Sequence, residues 1–209
     1  MFAYRPFAAA AIFLTLSAFV QSASAGVATE QIRTTVDKAI LVLKDPELKG
    51  ATKTKERRDQ LRQILFSRFD FTEMAKRALG GHWRRRTAKE QDEFAQLFTE
   101  LLERAYADII ESYTEEKIVY ISERQDGSYA DVASKVLTTS GSEFSLVYKV
   151  HLVNNDWRIY DVIAENISVV NNFRSQFDRV IARSSYEELV RRLRDKAEFG
   201  KPSNSPVGR

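Results

Sequence analysis

The 209-residue chain contains no cysteine. That excludes disulfides, thiolate metal sites and a cysteine nucleophile, so the fold must rest on its own core. It has two histidines, His82 and His151, far apart in sequence, which leaves too little for a zinc set or a convincing nucleophile–base pair. His82 follows a Gly-Gly helix end and His151 lies on an exposed strand face, and both read as polar surface or capping groups. No glycine-rich phosphate loop is present, since Leu79-Gly80-Gly81-His82 has the form of a helix terminus. There is no internal repeat, no linker and, after residue 25, no apolar run near the ~20 residues that span a bilayer. Charge of one sign is missing too: the formal net charge is +3, too balanced for a nucleic-acid binder. Carboxylates are many, but no spacing singles out an acid–base pair. Asp161, among apolar neighbours, reads as a buried ion-pair partner for Arg174 or as a turn acceptor. Nothing here points to an enzyme or a cofactor.

What is there begins with an export signal. Arg5 supplies a positive start, residues 7–20 an apolar run, and Ala23-Ser24-Ala25 a small-x-small cleavage site. Residues 1–25 read as a signal peptide and residues 26–199 as one domain, followed by a disordered Pro/Ser/Gly-rich tail at 200–209. Cleavage removes one arginine and no acid, which leaves +2. A periplasm-like compartment is the natural destination, with a fully secreted protein as the alternative.

Apolar periodicity predicts helices over 27–43 and 53–66. Asp70-x-x-Glu73 opens a short third helix that Gly80-Gly81 ends, and Thr87-x-x-Glu90 is a capping box opening a long fourth. The fourth carries Phe94, Phe98, Leu101, Leu102, Tyr106, Ile110 and Tyr113 in one wide stripe. The period then changes to two. Runs at 117–124, 130–137, 144–152 and 157–163, separated by Asp126-Gly127, Ser140-Gly141 and Asn154-Asn155, predict a four-stranded antiparallel meander. Helices return over 168–182 and 187–196, the last opened by Ser185-x-x-Glu188. The expected fold class is α+β, with N-terminal and C-terminal helices covering the apolar face of the sheet.

Two facing apolar surfaces, the long stripe and the 144–152 strand face, suit an apolar slot as well as an ordinary core. Its candidate walls are Met74, Leu79, Trp83, Phe98, Tyr106, Ile110, Val132, Phe144, Leu146, Tyr148 and Val150. The same residue types serve core or slot, and the sequence leaves that choice open for each. Arg84, Arg85 and Arg86, at a helix–helix junction, read as a solvated face or as a contact for anionic headgroups or an acidic partner.

Several ordered motifs resemble those of the MlaC family of periplasmic phospholipid-binding proteins, also called toluene-tolerance proteins. They are Phe69-Asp70-Phe71-x-x-Met74-Ala75-x-x-Ala78-Leu79-Gly80-x-x-Trp83, Glu93-Phe94-x-x-Leu97-Phe98-x-x-Leu101-Leu102-x-x-x-Tyr106, Val147-Tyr148, Trp157-Arg158-Ile159-Tyr160-Asp161-Val162 and Glu165-x-Ile167-Ser168-x-Val170-x-x-x-Arg174-Ser175-Gln176-Phe177. The family usually has glycine where Asn166 stands. The resemblance implies a carrier that holds a phospholipid by its acyl tails, with no catalysis and no cofactor. It implies as partners an inner-membrane ABC transporter with an MCE-domain subunit and an outer-membrane lipoprotein–porin complex. The alternatives are a secreted adaptor with a protein-binding groove, and a carrier of another lipid such as a hopanoid.

Overall fold

The computed structural model describes residues 26–113, 115–196 and 199; the expected signal peptide and the 200–209 tail lie outside them. Four helices come first: α1 (Val27–Lys44), α2 (Thr54–Phe66), α3 (Phe71–Leu79) and α4 (Ala88–Glu111). Five strands follow, β1 (Lys117–Asp126), β2 (Tyr129–Leu137), β3 (Glu143–Val153), β4 (Asp156–Ala164) and β5 (Ile167–Ser168), then α5 (Val169–Arg183) and α6 (Tyr186–Arg194).

The caps are those the side chains dictate. Asp70, Ser168 and Ser185 each accept the backbone N–H three residues on, and Thr87 with Glu90 closes a reciprocal capping box on α4. Gly80 ends α3 with φ +58, and an added Cβ there would lie 2.9 Å from Nε of Arg174, which crosses over it. Both the backbone angle and the crossing side chain require glycine at this point.

The sheet is antiparallel in the order β1-β2-β3-β4-β5. The fifth strand adds to the expected four. Glu165 and Asn166, at φ 47 and 66, form a two-residue turn that folds the chain back beside β4. Asparagine tolerates this left-handed conformation, so the family's usual glycine is not needed for the turn. Asn154 and Asn155 make the same kind of turn between β3 and β4. Irregular register between Lys149 and Val150 places Tyr160 as an extra residue in β4. Along the same edge, Asp70 N donates to the Ile159 carbonyl and Ile159 N to the Arg68 carbonyl, both at 2.8 Å, so the link between α2 and α3 is zipped onto β4.

Burial divides into two cores. One is helical, where α3, α4, α5 and α6 pack around Phe94, Phe98, Phe173 and Phe177, all with 0% exposure. Phe98 meets both Phe173 and Phe177 edge to face, at 5.6 and 5.8 Å. The other lies between α1 and the sheet, formed by Ala28, Ile32, Val132, Val150, Trp157 and Ile159. Glu123 of β1 ties α1 down by accepting from Thr29 N and Oγ1 at 2.7 and 2.6 Å. Phe69 and Val162 touch both cores without closing the space between them.

Candidate functional site: an apolar cavity between two cores

Where the two cores fail to merge, a cavity of about 610 Å³ remains. The sheet supplies one wall through Val136, Phe144, Leu146, Tyr148 and Val162, and α1 adds Ile32 and Val36. Opposite them stand Leu61, Leu65 and Phe66 of α2, Phe71 and Met74 of α3, and Leu102, Tyr106, Ile109 and Ile110 of α4. Its charged members come from α2 and α4, Arg58, Arg62, Glu103 and Glu111 among them, and from the link after α2, which adds Arg68.

The eleven candidate wall residues divide. Met74, Tyr106, Ile110, Phe144, Leu146 and Tyr148 line the cavity. Leu79, Trp83 and Phe98 lie instead in the helical core, and Val132 and Val150 in the core beneath α1. Three further aromatic residues line the cavity, Phe66, Phe69 and Phe71; the last two open the first family motif, and none of the three is among the eleven candidates. Phe66 and Phe71 have ring centroids 4.4 Å apart, and Phe69 stacks on Phe71 at 5.6 Å. Their clustering at a helix–loop–helix junction is the signal that was available.

Polar side chains are a minority of the cavity lining. The Tyr106 hydroxyl is buried with no hydrogen-bond partner among the described residues, and burial, then the Asp161 charge, pushes its pKa up to about 12. Burial likewise raises the Tyr148 hydroxyl above its ordinary value, against the opposing effect of Ser134. Asp161 is buried but does not pair with Arg174: it accepts from Ser168 Oγ at 2.5 Å and Val170 N at 3.0 Å, holding the start of α5. Burial raises its carboxyl pKa, and these hydrogen bonds oppose the rise. The expected ion pair is thus replaced by the other expected role, a local backbone acceptor, because the turn after β4 brings the α5 N-terminus within reach.

Neither histidine enters the cavity. His82 Nε2 lies 3.4 Å from Asp178, and His151 Nε2 lies 3.0 Å from Asp70. His151 is half-buried between Tyr129 and Tyr160 rather than freely exposed, because α3 begins alongside its strand. Among the described residues no three His, Asp or Glu side chains gather as a metal site, and no helix is long and apolar enough to cross a membrane. Arg84 and Arg85 are exposed and outside the cavity lining. Arg86 is engaged within the fold, its guanidinium 4.4 Å over the Tyr186 ring with Glu90 and Glu187 at 3.5 and 3.8 Å.

An α+β fold with an apolar-walled cavity between its layers offers a candidate site for a largely hydrocarbon ligand. Comparison with known proteins narrows the class of protein. The family model of the MlaC protein matches residues 33–195, and the chain belongs to that family. The Haemophilus influenzae intermembrane phospholipid transport system binding protein MlaC is 21% identical over 126 residues, covering 58% of this chain and 59% of the relative. The Pseudomonas putida toluene tolerance protein ttg2D is 26% identical over 128 residues, covering 60% of each. These alignments therefore span under two thirds of both curated relatives. A phospholipid-binding protein from Ralstonia solanacearum, solved in complex with a phospholipid, superposes with a TM-score of 0.73 at 28% identity, covering 81% of this chain and 96% of that one.

Proposed function

We propose that this chain is a periplasmic carrier that binds a phospholipid by its acyl tails in the cavity between α2, α4 and the sheet. The observation that carries this reading is the apolar cavity itself, in a member of a family with a phospholipid-bound structural neighbour. At the ~30 Å³ that a water-sized group takes in a liquid, 610 Å³ corresponds to on the order of 20 methylenes. At about 0.8 kcal/mol each, their removal from water is worth roughly 16 kcal/mol. That is the scale needed to lift a lipid out of a membrane and keep it out of water, while leaving it able to depart to a second apolar site.

Met74, Tyr106, Ile110, Phe144, Leu146 and Tyr148 are the tail-contacting residues in this reading, joined by Phe66, Phe69 and Phe71. The phosphate stays at the mouth, because burying it unpaired costs several kcal/mol. The signal peptide is cleaved near Ala25. Cargo is exchanged with an inner-membrane ABC transporter carrying an MCE-domain subunit, and with an outer-membrane lipoprotein–porin complex. Arg84 and Arg85, exposed side by side, form part of the surface that meets those partners. The role needs no catalytic group and no cofactor.

Native mass spectrometry of the purified mature protein, followed by lipid extraction, tests the reading. A mass increment that extracts as phospholipid is the expected result. A hopanoid in the extract would change the cargo, and a protein with no lipid, which captures none from vesicles, would overturn the carrier role.

A further inference from the structure

The cavity walls are not equally fixed. The sheet wall is held by continuous strand pairing. On the α1 side, Ala28 and Ile32 are fully buried and the Glu123–Thr29 bonds dock the helix. The N-terminal half of α4 is locked into the phenylalanine cluster, as is α3 through Met74, Ala75, Ala78 and Leu79. The exception is α2. Of its 13 residues only Leu61 is buried, and two of its other large apolar side chains, Leu65 and Phe66, line the cavity.

The α2 helix packs on α1, and three arginines bridge it to α4. Arg57 Nη2 lies 2.9 Å from Glu111, Arg58 pairs with the same carboxylate and lies 3.4 Å from Asp108, and Arg62 Nε lies 2.8 Å from Glu103. The bridge changes in character along its length. Arg57 and Glu111 are 16% and 13% exposed, and Arg57 also donates to the Leu48 carbonyl, so this end is an anchor. Arg62 and Glu103 are 55% and 31% exposed and meet without hydrogen-bond alignment. Past its last turn, α2 is tethered again where residues 68–70 zip onto β4. The helix is therefore a strap fixed at both ends and closed between them by the partly exposed Arg62–Glu103 and Arg58–Asp108 pairs, and charge pairs that water can reach are weak, quickly exchanged and screened by salt.

We infer that α2 is the moving wall of the cavity, and that the Arg62–Glu103 and Arg58–Asp108 pairs with α4 are the clasp it must release for a tail to enter or leave. The inference rests on the lipid-carrier reading and adds the route. Cargo passes between α2 and α4, not past the sheet edge or through the helical core. Charge pairs suit a clasp of this kind better than interdigitated leucines would. They hold a fixed register when shut, yet each broken group is taken up by water as the strap lifts, so neither state leaves apolar surface stranded by the clasp itself.

The absence of native cysteine gives a clean test. Arg62→Cys with Glu103→Cys, loaded with a fluorescent phospholipid, is joined by a short bifunctional methanethiosulfonate that a reductant cuts. Transfer to acceptor vesicles should fall at least about tenfold when the strap is joined and return on reduction. Independently, Arg62→Glu should raise the spontaneous release rate about fivefold, the scale of one lost and reversed surface pair, and Arg62→Glu with Glu103→Arg should bring it back to within about twofold of native. Equal transfer in the joined and reduced forms overturns the strap. So does a folded Arg62→Glu variant with native release, even if the joined form fails to assemble. Bound lipid is quantified first in every sample. A protein that holds none overturns the carrier reading and the strap together, whereas loaded protein indifferent to the joint overturns the strap alone.

Discussion

Leu146 and Val150 sit four residues apart on the same face of β3, and enlarging each should do opposite things. Leu146 lines the cavity, whereas Val150 has 0% exposure and is packed in the core beneath α1. A tryptophan at 146 projects into space that a tail would use. If its extra bulk displaces about four methylenes at ~0.8 kcal/mol each, binding weakens by roughly 3 kcal/mol, on the order of a hundredfold. The fold loses little, because the added ring fills volume that no side chain occupies. A tryptophan at 150 has no such volume. Overpacking of that kind costs about 1–3 kcal/mol, and for a chain of this size Tm should fall by roughly 3–10 °C. Leu146→Trp is therefore expected to keep Tm within about 2 °C of native while co-purified phospholipid phosphorus drops and fluorescent-lipid titrations shift to weaker binding. Val150→Trp is expected to lower Tm with lipid affinity near native in the molecules that remain folded. The assays are phosphorus per protein, lipid titration and thermal circular dichroism. If the 146 variant melts as low as the 150 variant and binds lipid within twofold of native, the division of β3 into a cavity half and a core half is wrong.

Three further outcomes follow from particular side chains. Gly80→Ala should destabilise by about 2 kcal/mol, seen as a lower denaturant midpoint, because alanine must adopt the left-handed backbone and push Arg174 aside. Tyr106→Phe should gain relative stability in alkali: the buried native hydroxyl titrates near 12 against about 10 in the unfolded chain, so its stabilising share is present below pH ~10 and is lost as pH rises towards 12. Denaturation midpoints of the two proteins at about pH 9 and 11 would expose this, and a constant difference would show that Tyr106 is not buried as described. Arg84→Glu with Arg85→Glu should leave Tm unchanged and slow transfer to partner domains at low salt, with the difference shrinking as salt rises; unchanged low-salt rates would return these arginines to a solvated face.

Much of the architecture was legible because local chemistry and global packing agree. Thr87 and Glu90, Ser185 and Glu188, and the Asn154-Asn155 turn announce element ends by hydrogen bonds that operate within four residues. A two-residue strand such as β5 has no period to read, and only the turn before it could have given it away. The cavity was legible as two facing apolar surfaces but not as a list of residues. Alternation along β3 tells which face a side chain takes, not whether that face meets a helix or a void. Phe144 and Val150 are equivalent in pattern and differ only in how far α1 extends over the sheet. The α4 stripe divides in the same way: Phe94 and Phe98 belong to the helical core, Ile110 to the cavity, and Leu102 and Tyr106 to both. Asp161 was legible as a buried acid, while its partner depended on a chain reversal at Glu165-Asn166 that a motif in sequence does not fix.

In the proposed carrier role, the separation of the two cores also decides what competes with the cargo. In a protein whose ligand completes a single core, an empty site loosens the whole molecule, and partial unfolding is the rival of binding. Here the phenylalanine cluster and the α1–sheet layer are each filled without help from the cavity. An unloaded molecule keeps both cores and instead presents bare apolar walls to solvent. Water becomes the rival occupant, and a poor one, because most of the wall side chains are apolar and cannot hold it. In the proposed carrier role, cargo is thus retained by the wetting penalty of those walls, and the molecule can be emptied and refilled without either core softening.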